Sequence, residues 1–294
     1  MRTLVTGASG LLGSEIVRQL SQTGNKDVFA AYSEHPPTVG RPIHLNLTNA
    51  SEITGVIGKI RPELIVHCAA VTNVDRCEDE PEIANLINGE ATGKIGVAAE
   101  KIDSYVVYVS TDYVFDGHDG LYRELDIPRP VNHYGESKLL GERMLQESGV
   151  TCCIARTSVL YGWGGERREN FATWVLNTLQ SGKPLKAPKG FFASPTLNHN
   201  MASMLLETAS RRLKGIIHLA GCTRIDRYHF SLQLAAAFGL DPAAIELAEA
   251  NSIGWRARRP VDSSLSVEKA MRLLDRKPLK LHEALEIFKA GWKR

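Results

Sequence analysis

RTLVTGASGLLGSEIVRQL, residues Arg2–Leu20, runs from a short apolar strand through three glycines directly into an amphipathic helix. Glycines at 7, 10 and 13 let the backbone approach a pyrophosphate, which a helix N-terminus attracts. Gly13 also lets the helix pack close to the strand. The spacing is GxxGxxG, a variant of GxGxxG. Its position after the first strand and at the opening of a helix is what reads as a dinucleotide site. Gly7, Ser9, Gly10, Leu11, Leu12 and Gly13 are the candidate cofactor contacts of this turn.

Outward from that turn, strand and helix patterns alternate. Apolar runs at 28–32, 43–47, 64–70 and 105–109 read as strands, and 50–60 and 81–100 as helices, with Asn88 in the middle of the second. The strands are continuously apolar, so both of their faces are covered. The fold class is α/β: a Rossmann-like, doubly wound parallel sheet with a smaller C-terminal substrate-binding lobe. Residues 152–155 and 215–220 read as further strands, and 200–212, 228–238, 267–274 and 281–290 as helices. Residues 164–170 form a charged loop, and 182–192 an extended segment at the mouth of the site. The dinucleotide-binding domain is expected over 1–158, with 201–222 and 263–294 returning to it. The substrate lobe takes 159–200 and 223–262.

The 294 residues are enough for a large core, and 35 basic against 33 acidic side chains leave no field that points to nucleic acid or membrane. No 18-residue apolar run occurs, and the N-terminus enters a strand without a signal pattern. Five cysteines without CxxC spacing suit reduced thiols in the cytoplasm. No metal site is assigned, and a homodimer is carried as an open assembly.

The chemistry is concentrated in Ser110–Lys138. Ser110 and Thr111 end the apolar strand, and Tyr134-Gly135-Glu136-Ser137-Lys138 opens a helix on which Tyr134 and Lys138 share a face. A neighbouring ammonium stabilises phenolate, so Lys138 is expected to lower the Tyr134 pKa. A hydroxyl from Ser110 or Thr111 would hold a carbonyl oxygen beside the phenol, giving an acid/base site. At the end of the second strand, where an NAD site usually carries an acid, stands Ser33. With Arg41 nearby to contribute charge, NADP(H) is favoured; Glu34 keeps NAD(H) open. Small residues at Ala69 and Ala70 would let a cofactor ribose lie against the backbone.

TGASGLLG, HCAA at 67–70, Asn88, Ser110-Thr111 and YGESK fall in the order found in the extended short-chain dehydrogenase/reductase superfamily, which the chain resembles. STDYVFDG followed by YGESKLLGE is similar to the dTDP-4-dehydrorhamnose reductase branch. Arg156-Thr157, Tyr161-Gly162, Asn170-Phe171, Pro195-Thr196, Arg259-Pro260 and Ser264-Leu265 extend that likeness over nearly the whole chain.

The resemblance implies catalytic roles for Thr111, Tyr134 and Lys138. Tyr134 would protonate a ketone as hydride arrives, Lys138 would hold the nicotinamide ribose, and Thr111 would bind the reacting oxygen, with Ser110 beside it. It implies that Asn88 supports the active-site helix and belongs with the cofactor contacts. Tyr113 would line the sugar pocket, and Arg258 and Arg259 would meet the diphosphate of a nucleotide sugar. Val159 stands where rhamnose-forming reductases usually carry Trp. The chain is also similar to the regulatory β subunit of methionine adenosyltransferase, which implies the alternative of an NADP-binding partner protein.

Overall fold

The computed structural model describes residues 1–165, 169–249 and 253–292; residues 166–168 of the expected charged loop lie outside them. Seven strands form one parallel sheet: β1 (Thr3–Thr6), β2 (Val28–Tyr32), β3 (Arg41–His44), β4 (Leu64–His67), β5 (Tyr105–Thr111), β6 (Cys152–Thr157) and β7 (Gly215–His218). Their spatial order is β7-β6-β5-β4-β1-β2-β3. This is the doubly wound Rossmann architecture read from the sequence. The order reverses between β1 and β4, which opens a crevice beyond the carboxyl ends of those strands.

Strand alternation divides the core between the two faces. Leu4 enters a cluster with Ile53, Ile57, Ile95 and Ala99, whereas Val5 enters the opposite one with Ile16, Val17, Met201 and Leu205. The first helices are α1 (Leu11–Gln22), α2 (Ala50–Ile60) and a short α3 (Val74–Asp79). Asn49 caps α2 by accepting from the Ser51 and Glu52 amides. The helix read over 81–100 is built in three pieces: Pro81–Ala84, a π-helical turn Asn85–Glu90, and α4 (Ala91–Glu100). The inserted turn contains Asn88, and such bulges gather at functional sites.

The helix α5 (His133–Glu147) is capped by Asn132, whose side chain accepts from the Gly135 amide at 2.9 Å. Glycines let it lie close to its neighbours. A β-carbon at Gly135 would stand 2.1 Å from the Tyr113 carbonyl oxygen, and one at Gly141 2.3 Å from that of Asn88. Beneath α5, Glu142 makes a buried two-point ion pair with Arg156 at 2.9 and 2.7 Å.

The lobe contains α6 (Phe171–Gln180), and α7 (Asn198–Ser210) returns to the sheet face beside α1. The lobe core joins Tyr161, Val175, Leu176 and Leu185 to Phe230 and Leu234 of α8 (Arg227–Phe238). A small parallel ladder, Leu185–Pro188 with Ile245–Ala248, covers it. Then α9 (Glu268–Leu273) packs on β7, but the closing α10 (Leu281–Ala290) does not go back to the sheet. It buries Leu281, Leu285 and Phe288 among the lobe residues. Its apolar stripe is satisfied by α8. Among the described residues no helix is long and apolar enough to cross a membrane.

Replacing Gly141 by Ala would press a methyl group into the Asn88 carbonyl and the Tyr108 hydroxyl. The expected cost is about 1–3 kcal/mol, read as a lower denaturant midpoint; an unchanged midpoint would mean that α5 has slack.

Candidate active site

The glycine turn fits a pyrophosphate on local grounds. Gly7 has φ 66°, and a β-carbon there would meet the Ala69 backbone at 2.8 Å. A β-carbon at Gly13 would lie 2.2 Å from the Gly7 carbonyl oxygen. Gly10 starts α1 without a side-chain cap, and with Gly165 packed against the Leu11 amide those of Leu12 and Gly13 remain available to an anion. Thr6 accepts from the Ala69 amide at 3.3 Å and pairs with His67 Nδ1 at 2.6 Å, fixing the turn to the end of β4. Ser9 donates to the His35 carbonyl, which closes the loop following β2. Asn198 donates from its amide to the Leu11 and Trp163 carbonyls at 3.2 and 2.9 Å, so a lobe segment abuts the start of α1.

Ser33 is exposed just beyond β2, and the Glu34 carboxylate beside it is also open to solvent. Arg41 does not join them. It begins β3, in register with Phe29 near the opposite end of β2, and pairs with Asp27 at 3.2 Å. The parallel register carries it to the wrong end of the sheet for a contact at Ser33.

Lys138 is 2% exposed, donates to the Val109 carbonyl at 2.8 Å and lies 4.1 Å from the Tyr108 ring centroid. Burial pulls its pKa down to about 7 against the opposing Glu142 charge. Its charge reaches His67 and Cys68 at the end of β4, which puts it beside the crevice. His67 itself is pushed by burial down to about 3 and is neutral.

Tyr134 is not made acidic. Burial pushes its phenol above the ordinary value, and the nearby Thr111 hydroxyl offsets this only in part. The expected lowering by Lys138 fails because desolvation of the phenolate dominates. The Tyr113 and Tyr134 rings meet edge to face, with centroids 5.8 Å apart.

Thr111 and Ser110 are separated by strand alternation. Thr111 reaches Tyr134, but Ser110 gives its hydroxyl to Glu142 at 2.5 Å, within the buried Arg156 pair. Ser110 is thus removed from the substrate contacts. Asn88 likewise has no donor left for a cofactor. Its amide donates to the Val71 carbonyl at 3.0 Å and to Ser137 at 2.9 Å, and its oxygen accepts from the Val71 amide at 2.8 Å. It ties the loop after β4 to α5, as a support.

A pocket beside Tyr113 is lined by Val159, Phe191, Arg227, Trp255, Arg259 and Ser263. Val159 has φ 36°, a strained value for a β-branched residue. Trp163 does not replace the missing aromatic, since it stacks on Phe288 at 4.5 Å. Trp255 faces the pocket instead, with Phe191 edge-on at 5.1 Å. Arg259 lines this pocket, and Arg258 borders a neighbouring one with His118. Sequence reasoning gave no role to Arg227, Trp255 or Ser263, and no motif marks Arg227, which opens α8.

A family model described as the RmlD substrate binding domain matches residues 1–290. The chain belongs to that family. The crystal structure of a hypothetical dTDP-4-dehydrorhamnose reductase from Sulfolobus tokodaii is 42% identical, with TM-score 0.86 over 96% of this chain and 97% of that one. The dTDP-4-dehydrorhamnose reductase of Bacillus anthracis, crystallised in complex with NADP, is 28% identical, with TM-score 0.88 over 99% of each chain. The methionine adenosyltransferase 2 β subunit of Xenopus tropicalis is 34% identical over 81% of this chain and 72% of its own length. Both resemblances read from the motifs therefore hold.

Asp112, next to Thr111 in the chain, is 2% exposed and accepts from Ser158 at 2.8 Å, Ser263 at 2.5 Å and Thr111 at 3.1 Å. Burial raises its pKa from 3.8 to about 6 despite these donors. A carboxyl raised in the folded state binds a proton that the unfolded chain has released, so this group's contribution to stability falls as pH rises from about 4 through 6. Asp112→Asn should remove that slope. The check is the difference between the two unfolding free energies across this range; a constant difference would refute the shift.

Proposed function

We propose that the protein is an NADP(H)-dependent reductase of a 4-keto-deoxyhexose carried on a nucleoside diphosphate, with dTDP-4-dehydrorhamnose as the leading substrate. The observation that carries this reading is the placement of the Thr111 hydroxyl close enough to act on the Tyr134 phenol, with Lys138 one helical turn beyond Tyr134. The nicotinamide cofactor supplies hydride when bound. Tyr134 passes its proton to the ketone oxygen as charge develops, and Thr111 turns its hydroxyl from Asp112 to the same oxygen. The phenol holds that proton at neutral pH.

The amides at the start of α1 hold the pyrophosphate, and Gly7 with Ala69 and Ala70 borders the ribose. Lys138 orients the nicotinamide ribose from the Val109 side. Tyr113 and Val159 flank the sugar, and Arg227 and Arg259 meet the diphosphate, for which forked donors are suited. NADP(H) is supported by Ser33 in place of an acid and by the NADP complex of the Bacillus anthracis relative. The exposed Glu34 keeps NAD(H) as the alternative. The dinucleotide domain takes 1–158, 201–222 and the segment from 263 through α9, and the lobe takes 159–200, 223–262 and α10. Free thiols at all five cysteines suit a cytosolic location.

A second reading, an NADP-binding partner protein, is favoured by the likeness to the methionine adenosyltransferase β subunit. NADPH consumption with a panel of 4-keto nucleotide sugars separates the two. Turnover supports the reductase; none with any of them, together with co-purification of a synthetase, supports the partner.

Tyr134→Phe should lower kcat by at least about a hundredfold while leaving NADPH affinity unchanged. A near-normal kcat would end the acid assignment. Arg227→Ala should raise KM for the nucleotide sugar and spare that for NADPH; equal KM values for both proteins would take Arg227 out of the diphosphate site.

A further inference from the structure

The segment that carries Trp255 and Arg259 is held from the dinucleotide-binding side. Asp75, in the first turn of α3, accepts through one carboxylate oxygen from the Arg256 amide at 3.2 Å and the Ala257 amide at 3.0 Å. The same oxygen meets Arg259 Nη2 at 3.0 Å. Asn132, the cap of α5, donates to the Arg258 carbonyl at 2.8 Å. A further pair, Arg256 with Asp79 at 2.7 Å, has side chains 66% and 38% exposed. Such an open pair contributes little.

The Asp75 contact differs in kind. The Arg259 side chain is 10% exposed, and its other Nη donates to the Ala257 carbonyl at 3.1 Å. The guanidinium carbon is 5.5 Å from the Trp255 ring centroid. One carboxylate therefore fixes a backbone turn and the direction of the arginine on it. Arg259 retains further N–H donors for a bound anion. Burial raises the Asp75 pKa, but the Ala257 amide and the Arg259 charge outweigh it, and the carboxyl stays below its ordinary range.

We propose that Asp75 is a positioning residue for the anionic half of the substrate: it presents Arg259, and with it the Trp255 wall, to the diphosphate of a nucleotide sugar. This rests on the reading of Arg259 as a diphosphate contact. Two opposite effects of Asp75 compete. Its charge opposes a bound anion, whereas its hydrogen bonds pre-organise the arginine. Positioning outweighs repulsion, because an arginine 10% exposed and released from the Asp75 carboxylate would lose its fixed direction along with the turn that carries it.

The experiment is calorimetric titration of the full chain with dTDP, beside NADPH binding and thermal unfolding of each variant. Asp75→Ala should weaken dTDP binding about tenfold, the size of one charged hydrogen bond, and leave NADPH affinity unchanged. Asp75→Asn keeps an oxygen for the two amides and should recover part of the loss. Arg259→Ala should weaken dTDP binding as well, and the double variant should be no worse than Arg259→Ala alone. With the nucleotide sugar as substrate, the Asp75 variants should raise KM and keep kcat.

Unchanged or tighter dTDP binding by Asp75→Ala would overturn the proposal, as would independent, additive losses in the double variant. If Arg259→Ala bound dTDP normally, the diphosphate reading of that arginine would fall first. Because dTDP binding requires no turnover, that outcome is distinct from a failure of the reductase assignment.

Discussion

The helix that carries Tyr134 and Lys138 leaves no room for a β-carbon at Gly135, against the Tyr113 carbonyl, or at Gly141, against that of Asn88. This close approach lets Lys138 reach the Val109 carbonyl from α5 and lets the Asn88 side chain bridge Val71 and Ser137. The π turn in Asn85–Glu90 adjoins the same contact. Sheet, crevice loop and catalytic helix are therefore fixed together by buried hydrogen bonds, which are costly to leave half made.

Burial also sets the electrostatics. Desolvation is the largest influence on Lys138, Tyr134, His67 and Asp112 alike, and it drives each towards its neutral form. A reading based on neighbouring charge alone lowers the phenol pKa; burial raises it. Just beneath lies the buried ion pair of Arg156 with Glu142, whose carboxylate takes the Ser110 hydroxyl.

The smaller lobe reaches the crevice at separate points: Ser263 on Asp112, Asn198 on Leu11, and the arginine segment on Asp75 and Asn132. These contacts join the pocket wall to the dinucleotide-binding half through polar side chains. Trp255 from this segment and Val159 line the same pocket.

By itself the sequence determined the fold class, the glycine turn, and the placing of Thr111, Tyr134 and Lys138, because these depend on spacings within one strand or one helix turn. Only the tertiary structure decided which neighbours those residues meet. Ser110 and Thr111 are adjacent in the chain but diverge on opposite faces of β5. Arg41 is eight residues from Ser33 but lies towards the other end of the sheet, because parallel pairing fixes the register of β3. Arg227, Trp255 and Asp75 come together from three distant segments, and no local periodicity records such a meeting. The state of the phenol was likewise beyond local reading, since desolvation depends on everything packed around a group and not on the residue four positions along.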